Sequence, residues 1–222
     1  MAATLAVSIF FSSNLFAETI YQSGSLGQTG VPWQAVIDGT VPGTNVNPDV
    51  FVGARFKIDQ PVQTTRIGGH FYGHPLNPSN EFFGALIQLE NAMDFPNSDD
   101  LSSADVLGVT TLTFPSPSDE VFGELSTALD PGWYAVVFGS GLFGTSAVGG
   151  ALRNGVDNGP QAYIGWQPGV GWFELSLLFP PLFENHRFVV EGTIIPEPAT
   201  SILLLLGAGS LFTMRRRSFA RR

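Results

Sequence analysis

Cysteine is absent from the 222 residues, which excludes disulfide staples, thiolate metal centres, iron–sulfur clusters and cysteine nucleophiles together. Lysine occurs once, at Lys57, and charged residues make up only 13% of the chain, well under the usual share of about 25%. A helix-rich cytosolic enzyme does not have this composition. No stretch of helical length before residue 200 repeats its apolar residues at a 3.6 spacing. Basic charge is scarce where nucleic acid would need it. Residues 18–195 carry 18 acids and 5 bases, a net charge of −13 that repels polyanions and anionic membrane surfaces. What the chain has in quantity is 26 glycines, 16 prolines and 19 phenylalanines, the composition of short strands joined by turns.

The body of the chain alternates with period two. In residues 50–58, Val50, Val52, Ala54, Phe56 and Ile58 share one face while Arg55 and Lys57 share the other, the pattern of a half-buried strand. In residues 188–194 the inward set is Phe188, Val190, Gly192 and Ile194. Residues 64–72, 82–90, 106–114 and 161–167 alternate in the same way. Residues 133–138 are apolar on both faces and predict a central strand, entered through the turn Asp130-Pro131-Gly132. The expected fold is all-β: an antiparallel β-sandwich over residues 18–195, jelly-roll-like by analogy with other sandwiches.

The two ends carry different signals. Residues 1–17 are apolar and essentially uncharged, and an acid-bearing stretch begins at Glu18, so this segment reads as a secretory signal cleaved after Ala17. Its basic n-region is missing, which a start lying inside a longer signal would account for. The other reading is a buried first strand. At the far end, residues 201–214 form an uncharged 14-residue run followed at once by Arg215, Arg216 and Arg217. As a helix this run is about 21 Å long against a hydrocarbon core of about 30 Å, so it predicts a short transmembrane helix with local thinning. The arginine cluster at 215–222 is retained on the cytoplasmic side and places the body outside.

Directly before that run stands Pro196-Glu197-Pro198. The order of Pro-Glu-Pro, apolar helix and arginine cluster over residues 196–222 resembles the PEP-CTERM sorting signal of exopolysaccharide-producing Gram-negative bacteria. The resemblance implies that Pro196, Glu197 and Pro198 are the recognition element for exosortase, an integral-membrane processing enzyme that releases or re-attaches the exported body. Physically, the two prolines remove two backbone donors and hold the glutamate on an extended, accessible segment. The other reading of these residues is a proline-rich stop before a tail anchor.

Chemistry in the body is sparse. His70 and His74 have i, i+4 spacing, but Gly68, Gly69, Gly73 and Pro75 forbid the helix on which two imidazoles would converge. They share a strand face with Arg66 and Tyr72, and solvent-facing positions are expected. No G-x-S-x-G elbow occurs, and neither Ser140 nor His186 has a triad context. Asp94, Asn97, Asp99, Asp100 and Asp105 could offer oxygen ligands to calcium, although the order of a calcium loop is missing and a solvated loop is expected. The carboxylate pairs Glu81 with Glu90 and Glu174 with Glu184 have no known separation. Among the aromatics, Trp166 is in phase with Ile164 and reads as core, whereas Tyr163 and Trp172 are the candidate outer platform for a polysaccharide.

These observations predict no enzyme, no metal site and no cofactor apart from a calcium option. The expected function is that of an exported structural or adhesive component of biofilm or floc. It would be anchored in the inner membrane with its body in the periplasm, then passed to the cell surface or extracellular matrix. The partners are an exosortase-type protease, the membrane and exopolysaccharide. The alternative is a carbohydrate-binding module that uses Tyr163 and Trp172.

Overall fold

The computed structural model describes residues 17–75, 80–154, 162–175 and 185–196. The first half of the chain supplies β1 (Glu18–Gln22), the single-turn helix α1 (Trp33–Ile37), β2 (Gly43–Val46), β3 (Phe51–Ile58), β4 (Val62–Gly73) and β5 (Glu81–Leu89). Then come β6 (Val106–Thr113), β7 (Asp119–Glu124), β8 (Ala128–Leu129) and β9 (Gly132–Gly139). The last are β10 (Gly149–Leu152), β11 (Ala162–Gln167), β12 (Gly171–Glu174) and β13 (Phe188–Ile194).

They form two antiparallel sheets. The first is built around the twelve residues of β4. One edge of β4 takes β13 along Val62–Gly69 and then β10 along Phe71–Gly73. The other edge takes β8 and β7. β1 pairs outside β13, and β2 outside β10. The second sheet has the order β12-β11-β3-β9-β5-β6. β9 is interior there, as its apolar run predicts, with β3 on one side and β5 on the other.

The core lies between the sheets, because each strand turns alternate side chains inward. Val52, Phe56, Phe82, Leu86, Val136 and Phe138 from the second sheet meet Ile67, Phe71, Phe188 and Val190 from the first. Phenylalanine dominates: the Phe71 ring lies 4.9 Å from both Phe82 and Phe138, and Phe82 stacks on Phe114 at 3.9 Å. Phe188 and Val190 of β13 point into this core as the alternation predicts, whereas Ile194, expected in the same inward set, lies past the core at the strand's end and is 37% exposed.

Both sheets are also covered outside, and here the sequence expectation needs correction. Arg55 was expected on a solvent face of β3, yet it is 3% exposed. The loop 90–105 lies across that face and brings Leu101 and Phe95 onto Phe51, Phe83, Ile87, Val137 and Ile164 as a second apolar layer. Only Lys57 on that face of β3 reaches solvent. On the outer face of the first sheet, the segment from Val31 through α1 packs Trp33 and Val36 against Tyr72 and Leu152.

Candidate functional site

The ends of the body meet at one place. β1 and β13 run antiparallel, with Glu18 opposite Gly192 and Gln22 opposite Val189. The start of the first strand therefore lies beside the end of the last, and both chain ends leave the sandwich at the same pole. There the Ile195 N–H donates to the Pro61 carbonyl at 2.9 Å, and the next residue, Pro196, has no N–H to continue the ladder. Ile194 and Ile195 remain 37% and 39% exposed. Beside them opens a cleft of about 350 Å³ lined by Ile20, Ile58, Val62 and Ile194 together with Glu18, Lys57 and Asp59. The Lys57 ammonium reaches the Asp59 carboxylate at 2.7 Å, and both side chains are solvated.

The chain that leaves this pole has a recognisable pattern. Residues 195–218 match the model of the PEP-CTERM protein-sorting motif. No curated protein matches the chain. The PEP-CTERM motif implies an exported protein that is targeted to exosortase and carries a C-terminal membrane anchor before processing. Of the motif residues singled out in the sequence, Pro196 ends the described part of the body. Glu197 and Pro198, the expected helix 201–214, Arg215, Arg216 and Arg217, and residues 1–16 of the expected signal lie outside the described residues. Among the described residues no helix is long and apolar enough to cross a membrane.

The aromatic platform does not form. Tyr163 is 1% exposed and belongs to the core between the sheets, where its hydroxyl donates to the His186 carbonyl at 2.9 Å. Trp172 lies on the opposite face of the sheet. The turn Pro168-Gly169-Val170 pairs Gln167 with Gly171, so Trp172 stands opposite Trp166, two even-numbered positions, and Tyr163 falls on the other side. Trp166 joins the outer apolar layer rather than the inner core, and its ring stacks on Phe51 at 4.6 Å. The Trp172 indole N–H donates to the Ser98 carbonyl at 3.1 Å, which ties β12 to the covering loop.

The same loop uses its acids internally. Asp94 accepts the Glu90 N–H and Asp105 accepts the Asn97 N–H, each at 2.8 Å. Asp100 accepts the Ser102 hydroxyl at 2.7 Å, and this bond with its Ser102 neighbour holds the Asp100 carboxyl below its usual range. Among the described residues no three histidine, aspartate or glutamate side chains gather as a metal would require. Glu81 and Glu90 stand at opposite ends of β5, about 30 Å apart at about 3.3 Å per residue, too far to share a glycosidic bond. Glu184 lies outside the described residues.

The histidines are also placed differently from expectation. His70 is 1% exposed, not solvent-facing, because the chain after β1 crosses over it. Its Nδ1–H donates to Asn154 Oδ1 at 2.7 Å, and the same oxygen accepts the Gly27 N–H at 2.7 Å. Burial is the main cause that pushes the His70 pKa down, against an upward pull from the Asn154 bond, Glu120 and Asp119, with Arg187 adding to the downward shift. His74 instead meets the Trp33 ring edge-on at 4.6 Å. His186 is buried, with Nε2 2.8 Å from the Thr44 hydroxyl. Ser140 donates to the Ala147 carbonyl at 2.6 Å. These groups fasten strands and loops to one another.

Sequence reasoning missed two such fastenings. The Arg55 guanidinium donates to Glu174 Oε2 at 2.9 Å and to the Asp94 carbonyl at 3.3 Å, beneath the Phe95 ring. The His70–Asn154 bond joins residues 84 positions apart. One signal existed for the first: an arginine in the middle of a mostly apolar strand, in a body with only five bases.

Proposed function

We propose that the chain is a noncatalytic exported protein whose sandwich is cargo for a C-terminal sorting signal. In this reading residues 1–17 direct export, 18–195 form the jelly-roll-like body, and 196–222 hold it at the inner membrane. Pro196, Glu197 and Pro198 are read by an exosortase-type protease, while the helix 201–214 and Arg215, Arg216 and Arg217 keep the tail in place. The processed body passes to the cell surface or extracellular matrix and contributes to biofilm or floc alongside exopolysaccharide.

The observation that supports this most is the match of residues 195–218 to the sorting motif, which begins at Ile195, the residue after β13 that is bonded to Pro61. The acidic body fits the same reading, since it stays soluble and is repelled by anionic lipid. The buried positions of Tyr163, His70 and His186 offer a substrate no convergent groups. A glycan-binding role would need aromatics other than the Tyr163–Trp172 pair.

The test is mass spectrometry of the mature C-terminus in producing cells with and without the processing protease. A terminus at or near the Pro196–Pro198 segment, present only with the protease, is expected. An intact Arg222 in both strains overturns the proposal.

A further inference from the structure

We propose that the pole from which both chain ends leave is a docking face for the outer rim of the membrane-embedded processing enzyme, with Ile194 and Ile195 as its apolar centre. This rests on the sorting reading above.

The chain between the body and the apolar run is short. Only five residues, 196–200, separate the last hydrogen-bonded residue from the apolar run. Fully extended they reach about 17 Å, at about 3.4 Å per residue, less than the length of β13 itself at a similar rise. Once residues 201–214 enter the bilayer, the body cannot swing clear, and this pole must face whatever reads Pro196–Pro198.

An extended peptide is read through its backbone and its alternate side chains, so residues next to a motif lie within reach of the same reader. On the N-terminal side those residues are Ile194 and Ile195, and the sheet holds both: Ile194 lies opposite Val62, and Ile195 is bonded to Pro61. The enzyme therefore meets them on the folded body, next to the cleft lined by Ile20 and Ile58. The half-exposed Ile194 and Ile195, beside a cleft whose rim carries Glu18, Lys57 and Asp59, give an apolar contact with a polar border, the anatomy of a protein interface.

Charge selects a protein over lipid. The body's net charge is −13, and Glu18 and Asp59 flank the cleft, which disfavours an anionic bilayer surface.

The test uses the full chain produced with the processing enzyme and follows precursor conversion by pulse–chase. Ile194→Ser with Ile195→Ser should slow conversion roughly fivefold or more. A six-residue Gly-Ser insertion between Ile195 and Pro196 leaves β13 unchanged but detaches the motif from the pole. It should slow conversion by a similar factor, and combining it with the serine pair should add nothing further. Val170→Ser alters an equally apolar residue that is 61% exposed on the β11–β12 turn, at the opposite pole, and should leave the rate unchanged. Equal rates for all variants, or faster conversion on insertion, overturn the docking face while leaving the sorting reading intact. Loss of membrane-held precursor from the serine pair in cells without the enzyme would also overturn it, by assigning the pole to lipid. A native chain that is never converted overturns the sorting reading itself.

Discussion

Arg55 reaches across β11 to Glu174: its guanidinium has no exposed side-chain surface and meets the carboxylate at 2.9 Å, linking β3 to the edge strand β12. An ion pair of this kind is strongly destabilising to break from one side, because the remaining charge stays buried. Glu174→Gln should therefore lower the unfolding free energy by about 3 kcal/mol. The double variant Arg55→Met with Glu174→Leu, which removes both charges and keeps apolar volume, should recover most of that loss. Urea midpoints of Arg55→Met, Glu174→Leu and the double variant measure the coupling, and additive losses would show that the pair is not energetically joined.

His70 makes stability depend on pH in a known direction. Burial lowers its pKa in the folded body, so between the ordinary value of about 6.5 and the lowered one the unfolded chain binds a proton that the folded chain does not. Stability is complete above about pH 6.5 and falls as the pH drops below it. His70→Gln can keep a donor toward Asn154 without the titrating ring. Urea midpoints at pH 7.5 and 5.5 should differ less in this variant than in the native chain; an unchanged pH dependence would assign the slope to other groups.

How far the sequence could be read follows from where each signal is stored. The C-terminal sorting pattern is local, since Pro196-Glu197-Pro198, the apolar run and the arginines are contiguous. The inward faces of β3 and β13 follow from alternation, which any strand with one buried face must show. Arg55 escaped the reading because the loop that covers it comes from residues 90–105, and alternation within a strand carries no information about a distant cover. Tyr163 and Trp172 were misplaced for a simpler reason. The turn Pro168-Gly169-Val170 sets the pairing Gln167↔Gly171, so facing residues share parity, and 163 and 172 do not. His70 turned out buried because the chain after β1 folds back over the sheet, a long-range event with no local pattern. The shared exit of both chain ends depends on the β1–β13 pairing, which joins residues more than 160 positions apart.

Close approach of strands makes one glycine indispensable. A Cβ on Gly53, in the middle of β3, would lie 2.2 Å from the Val136 carbonyl oxygen and 3.0 Å from Val137 Cα, both backbone atoms of the interior strand β9. Neither can move without disturbing the ladder, so Gly53→Ala should destabilise the body by about 3 kcal/mol. Gly169, at φ +77° with open space around it, is the comparison: its alanine variant meets only the left-handed backbone penalty of about 1 kcal/mol. Thermal unfolding of both variants should rank them in that order, and equal losses would mean that β3 and β9 can separate at little expense.

The last strand decides whether the body folds at all. β13 lies between β1 and β4, so its removal opens the ladder on both sides and takes Phe188 and Val190, both essentially inaccessible to solvent, out of the core. Loss of a buried phenylalanine alone costs about 3–5 kcal/mol, against a total of about 5–15 kcal/mol for a domain of this kind. A chain of residues 18–196 should therefore give a cooperative urea transition and a structured near-ultraviolet spectrum, whereas residues 18–187 should give neither. Cooperative unfolding of the shorter chain at the same midpoint would contradict the interior role of β13.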